Sequence, residues 1–140
     1  MTNTSVVLNH YDAVNANDLD RALAHMSPTV RTSTPMGVTE DAAGMRALGE
    51  AFQVAAPDAK MTVTRLHEAG DTIVVEGVYT GTHTGPLHSP DGAVPATGRG
   101  FSFPFVDVFE FGPDDLVREH RIYWDNLSFM AQLGLVPQSA

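Results

Sequence analysis

Residues 117–135 read VREHRIYWDNLSFMAQLGL, and two periods meet inside them. Val117, Glu119, Arg121, Tyr123 and Asp125 recur at every second position, the period of a strand, whereas Leu127, Met130 and Leu133 fall at helical spacing. The stretch therefore predicts a strand running into Asp125, then a short apolar helix over Leu127–Leu133 that Gly134 stops. Alternation puts Glu, Arg, Tyr and Asp on one strand face. Such a face meets water or a polar cavity, because an ionised carboxylate is not left unpaired in an apolar core. In the same phase His120 and Trp124 fall on the opposite face, facing solvent or an interface.

Upstream, Phe101, Phe103, Phe105, Phe109 and Phe111 form one row of a predicted strand over 101–111, interrupted only by Asp107. Pro104 implies an edge position, a bulge or a later start for that strand. Met61–Glu68 and Thr72–Gly81, joined by Ala69-Gly70-Asp71, read as an antiparallel hairpin. Between the hairpin and the phenylalanine row, GTHTGPLHSPDGAVPATGRG is too rich in Gly, Pro, Thr and Ser for regular structure and predicts a long loop or cover. Before Met61 the patterns are helical. One helix runs from Thr4 or Ser5 to Asn15, a second starts at Asn17-Asp18 and exits at Pro28, and a third covers about Asp41–Ala55; Val30–Thr34 is a short strand. Helices followed by consecutive antiparallel strands give an α+β domain, a curved sheet whose concave face three helices close around a pocket.

The totals bound the function. One domain over residues 1–140 is long enough to close a single core around a small cavity. A net charge of -9 with Lys60 as the single lysine repels nucleic acid and anionic membranes, so a small molecule or another protein is the expected partner. No apolar run approaches the roughly 20 residues that span a bilayer. The opening MTNTSVVLNHYDAVN lacks the pattern of a secretory signal, which leaves a cytoplasmic protein as the expectation. Absence of cysteine excludes disulfides, thiol nucleophiles and thiolate metal sites. None of the six histidines pair at i, i+4, so no metal site is expected. Serine-nucleophile elbows, phosphate loops and dinucleotide fingerprints are also missing, which leaves acid/base chemistry or simple binding.

Asp125 and Asp107 are the first candidates for that chemistry. Asp125 has two open roles: an acid/base group desolvated beside Tyr123 and Trp124, or an N-cap for the helix behind it. Asp107 could reach Arg121, Tyr123 or Asp125 across a β-hairpin, either in a structural salt bridge or as a catalytic group. Tyr11 could project into the pocket or pack with its hydroxyl at the rim, and His83 could hang over the mouth on its loop or stay solvated. Phe105, Phe109, Tyr123 and Arg121 complete the expected substrate wall. Arg46 is either an anion contact or half of a helix-surface ion pair.

YDAVNANDLDRAL, GTHTGPL with PATGRG, and REHRIYWDNLSFMAQLGL together resemble the SnoaL-like polyketide cyclases of the NTF2-like superfamily, over nearly the whole chain in element order. That resemblance implies a conical α+β barrel, dimerisation through the sheet and cofactor-free chemistry on a small hydrophobic molecule. It also implies an acid/base role for Asp125, which matches an aspartate before the terminal helix in those cyclases. Epoxide hydrolysis is disfavoured, since Phe105 stands where related hydrolases carry arginine. The expected reaction is an aldol ring closure, with Tyr11, Tyr123 or His83 supporting the oxyanion. Isomerisation, hydroxylation, non-catalytic binding of a hydrophobic molecule and a cavity-free structural dimer module are the alternatives.

Overall fold

The computed structural model describes residues 2–89 and 91–137. Helix α1 (Asn3–Asn15) starts where the Thr2 side chain accepts the Ser5 amide, and α2 (Leu19–Ala22) where Asp18 accepts that of Arg21. The second helix is a single turn, far shorter than its apolar residues suggest, and strand β1 (Met26–Thr34) begins before Pro28. After β2 (Gly37–Thr39), Asp41 caps α3 (Ala42–Ala55) by accepting the Gly44 amide. The long hairpin β3 (Lys60–Ala69) and β4 (Thr72–Thr82) follows, turning through Gly70 at φ 62. The Gly-, Pro-rich segment is not wholly irregular: β5 (Leu87–Ser89) and β6 (Gly92–Val94) pair as a small separate hairpin. The chain then runs through β7 (Gly100–Phe111), β8 (Val117–Trp124) and α4 (Asn126–Gln132), which ends at Gly134 with φ 77.

Six strands form one sheet in the order β2-β1-β8-β7-β4-β3. Every neighbouring pair is antiparallel except β1 with β8, which lie parallel. The sheet is curved and open, not closed into a barrel; α1 packs on β3 and β4, and α3 on β1, to cover its concave side. Strand β7 lies in the middle of the sheet despite Pro104. The reason is local. Pairing with β8 reaches only Phe105 opposite Trp124, so position 104 lies past the end of that ladder. The Ser102 amide, in the same phase, turns to the Gln132 side chain (2.7 Å), so the donor that proline lacks would have had no strand partner.

Alternation along β7 is strict. Phe101, Phe103, Phe105, Asp107, Phe109 and Phe111 face inward, and each of the buried rings contributes about 1.5–3 kcal/mol of apolar burial. The facing row on β4 makes room for them: Gly77 lies opposite Phe105, and a Cβ there would stand 2.5 Å from Phe105 Cζ and meet the Thr62 carbonyl. Strand β8 departs from its sequence pattern. Phe111 pairs with Val117 and Glu110 with Glu119, so Arg118 is an extra residue, a β-bulge that reverses the phase. Val117 points inward before it, and His120, Ile122 and Trp124 line the concave side after it. Glu119, Arg121 and Tyr123 consequently lie on the convex side, the reverse of the simple alternation.

Candidate active site

A chamber of about 130 Å³ lies under α1 and α3, between two core clusters. One cluster gathers Val7, Tyr11, Val75, Phe109 and Val117; the other holds Phe101, Phe103, Phe129 and Leu133, with Phe52 and Trp124 partly buried against it. Met45, Met61, Tyr79, Phe103, Phe105 and Trp124 supply its apolar and aromatic walls. Polar groups enter at one place. His10 comes from α1, Thr32 from β1, Asp107 from β7 and His120 from β8. All four are buried, and together with His83 they are the buried polar side chains among the described residues.

The sheet register assembles this set. Phe109 pairs with His120 and Asp107 with Ile122, which brings the His120 ring beside the carboxylate, and parallel pairing brings Thr32 next to His120. Asp107 has 0% exposure. Its Oδ2 accepts the Tyr11 hydroxyl and lies 3.6 Å from His120 Nε2, whereas its Oδ1 has no partner. The His120 ring stacks on Phe109 at 4.2 Å between centroids and meets His10 edge-on at 5.7 Å. Neither nitrogen of His120 nor the Thr32 hydroxyl has a hydrogen-bond partner. An unsatisfied buried polar group costs about 1–3 kcal/mol. Four such atoms lie together at the polar end of the chamber.

Electrostatics sharpen the roles. Burial raises the Tyr11 phenol well above its ordinary range, and the Asp107 charge and hydrogen bond reinforce this, so Tyr11 stays a donor. Burial, helped by His120, pushes His10 down to about 4 against the opposing effects of the Ala22 carbonyl and Asp107, so its ring is neutral at pH 7. Burial also raises the Tyr79 phenol.

The expected site residues separate into two groups. Asp107, Phe105 and Tyr11 meet at the chamber or its polar end, and Phe109 backs it by stacking on His120. Asp125 does not face inward. It is exposed, its carboxylate accepts the Ser128 amide at 3.0 Å, and it caps α4. Tyr123 is 53% exposed on the convex side. Arg121 lies there too, bonded to Glu110 and 3.2 Å from Glu119; Glu110 raises the arginine and is itself lowered by it. His83 is buried instead of overhanging the mouth. Its Nδ1 lies 3.0 Å from Thr97 Oγ1 and accepts the Thr97 amide, and burial lowers its pKa with an opposing effect from the Gly85 backbone. It is outside the chamber lining. Arg46 makes an ion pair with Asp20.

His10, Thr32 and the inward turn of His120 escape the sequence reading. His10 was within reach: it shares the helical stripe of Val7, Tyr11 and Val14. The turn of His120 was not, because nothing in the sequence announces the bulge at Arg118. Among the described residues there is no cluster of three or more possible metal ligands, and no helix is long and apolar enough to cross a membrane.

An open curved sheet with helices closing its concave face, around an apolar chamber with one polar end, is the NTF2-like architecture. The chain belongs to the SnoaL-like polyketide cyclase family, whose model matches residues 5–133. Solved structures with the same fold include a SnoaL-like polyketide cyclase, provisionally so assigned, from Jannaschia sp. CCS1 (24% identity over 96% of this chain and 93% of that one, TM-score 0.84). AclR from Streptomyces galilaeus, provisionally a hydroxylase, is 25% identical over 99% of this chain and 84% of its own, with a TM-score of 0.83. IdmH from Streptomyces antibioticus, provisionally a polyketide cyclase, is 25% identical over 96% of this chain and 99% of its own, with a TM-score of 0.78. No curated protein sequence matches the chain.

Proposed function

We propose that this protein is a cofactor-independent acid/base enzyme that closes a ring in a hydrophobic, polyketide-like carbonyl compound by intramolecular aldol addition. The observation that carries this is the Asp107–His120–Tyr11 set, buried at the polar end of an otherwise apolar chamber. The His120 nitrogens are closed off in the empty chamber, so the ring turns toward the ligand as it enters; it then takes a proton from the carbon beside a ketone, and the Asp107 carboxylate stabilises the imidazolium that forms. The electron pair left on carbon attacks a second carbonyl of the same molecule. One carbon–carbon bond forms, the carbonyl π pair becomes an alkoxide, and the alkoxide takes the proton back from His120. Atoms are conserved, so product and substrate have equal mass. Tyr11 holds the carboxylate in place through the hydroxyl that burial keeps protonated. Shielding of the Asp107 and His120 polar atoms from water protects the enolate from premature quenching.

The same proposal makes the partner a small hydrophobic molecule and pairs two copies of the chain through the convex face, where Tyr123 is exposed, with the exposed Leu127 of α4 following it in the chain. Likeness to AclR favours hydroxylation in the same chamber as the second reading. Mass separates the two, since hydroxylation adds one oxygen. The test offers an aromatic diketone to the protein in D2O and follows deuterium entering the carbon next to carbonyl. Asp107→Asn keeps the shape, and loss of exchange by about 10²–10⁴-fold is expected. Exchange surviving within a few-fold would remove Asp107 and His120 from the mechanism, and absence of exchange in the unmodified protein would leave a binder.

A further inference from the structure

We infer that His10 is a specificity-determining residue: its Nε2 presents a fixed lone pair to the chamber and selects ligands that carry a hydroxyl over the same skeleton without one. The tautomer follows from geometry. His10 Nδ1 lies 2.8 Å from the Ala22 carbonyl oxygen, and a carbonyl can only accept, so Nδ1 carries the ring's proton. In a neutral imidazole the other nitrogen is then a bare acceptor. That Nε2 has no hydrogen-bond partner among the described residues and, unlike the nitrogens of His120, is not sealed off by surrounding atoms. His10 also lines the chamber. The ring cannot turn over to offer a donor without breaking its bond to Ala22, and it is wedged edge-on against Tyr11, Phe109 and His120 at 5.4, 5.5 and 5.7 Å.

The chamber thus offers an acceptor of one polarity at a fixed distance from the acid/base pair. A hydroxyl reaching His10 gains a hydrogen bond. An ether oxygen in its place sets one lone pair against another and strands the acceptor. This inference rests on the acid/base function proposed above only in locating the ligand in the chamber, and its test is separate from turnover.

The probes are 2-naphthol and its methyl ether, which share one apolar skeleton. Binding to the full chain is read by quenching of Trp124, the single tryptophan, which lines the chamber. The naphthol is expected to bind about tenfold more tightly than the ether, the factor that one neutral hydrogen bond supplies. In His10→Phe the ratio falls to near one while both still bind. Should that variant fail to fold, 15N spectra of the unmodified protein give the same answer: His10 shows the Nδ1–H tautomer, and its Nε2 resonance shifts with the naphthol and not with the ether. Equal affinities in the unmodified protein, an Nε2–H tautomer, or an Nε2 signal indifferent to both probes would overturn the inference. Selectivity without deuterium exchange would uphold His10 and sink the catalytic proposal, and exchange without selectivity would do the reverse.

Discussion

Acid should weaken this protein through its buried histidines, His10 foremost, before it touches the carboxylates. His10 is 7% exposed, and its folded-state pKa is about 4 against 6.5 for a free side chain. Because the folded value is the lower one, the unfolded chain takes up the proton first as pH falls. The contribution of His10 to stability is complete above pH 6.5 and is lost between there and about 4. At pH 5 the two values give a loss of about 2 kcal/mol relative to pH 8, or about 1 M in the urea midpoint for a domain of this size. That pH keeps clear of Asp58 and Glu110, whose pKa values are lowered by the Thr82 hydrogen bonds and by Arg121, and which lose their partners only in stronger acid. The assay is a pair of urea titrations at pH 8 and 5, on the unmodified protein and on His10→Phe. Their absolute stabilities at pH 8 are immaterial, since only the difference between the two pH values is compared. The variant should be less acid-sensitive by about 2 kcal/mol. Equal sensitivity in both proteins would mean that His10 is accessible to protons when folded, and the buried neutral tautomer would be refuted.

Asp125→Ala should cost about 1 kcal/mol in thermal or urea unfolding through loss of the cap on α4, while deuterium exchange continues. Abolished exchange with unchanged stability would reinstate the aspartate as a base. Gly77→Ala should destabilise by about 2–3 kcal/mol, because the new methyl group meets the Thr62 carbonyl and Phe105; an unperturbed melting curve would show that the two strands can part there at no cost. Tyr123→Asp combined with Leu127→Asp should convert a dimer to a monomer in sedimentation at micromolar concentration, as both side chains are more than half exposed on or beside the convex face. A dimer that survives both changes places its interface elsewhere.

The two long helices and the long strands, with their order, were legible because burial writes them into the chain, whereas the short strands β2, β5 and β6 were not. Five phenylalanines in one phase made β7 unmistakable, with Asp107 as its polar interruption, and Gly134 marked the end of the last helix by its backbone freedom. Residue spacing failed at β8. Counting by twos from Val117 assumes an unbroken ladder, and a single extra residue at Arg118 sent His120 inward and Tyr123 outward. Bulges arise from pairing with a neighbour, so no local pattern reveals them. The dual nature of Asp125 illustrates a second limit. Capping and acid/base catalysis ask for the same side chain at the same point, and only the direction of its oxygens separates them. Thr32 reached the site through the parallel pairing of β1 with β8, a long-range choice that the run of strands and helices did not announce.

That parallel seam also governs how the protein comes into being. Across it, Arg31 lies against Glu119 although 88 residues separate them in the chain, so the intervening segment must be looped before either strand finds its neighbour. Loop closure of that kind is paid for early and rewarded late, which places refolding in the slow, milliseconds-to-seconds regime of non-local topologies. Until the seam zips, Thr32 and His120 are strangers and the outer edge of β8 is bare, so ligand binding should return only in the last kinetic phase, and aggregation should compete before it.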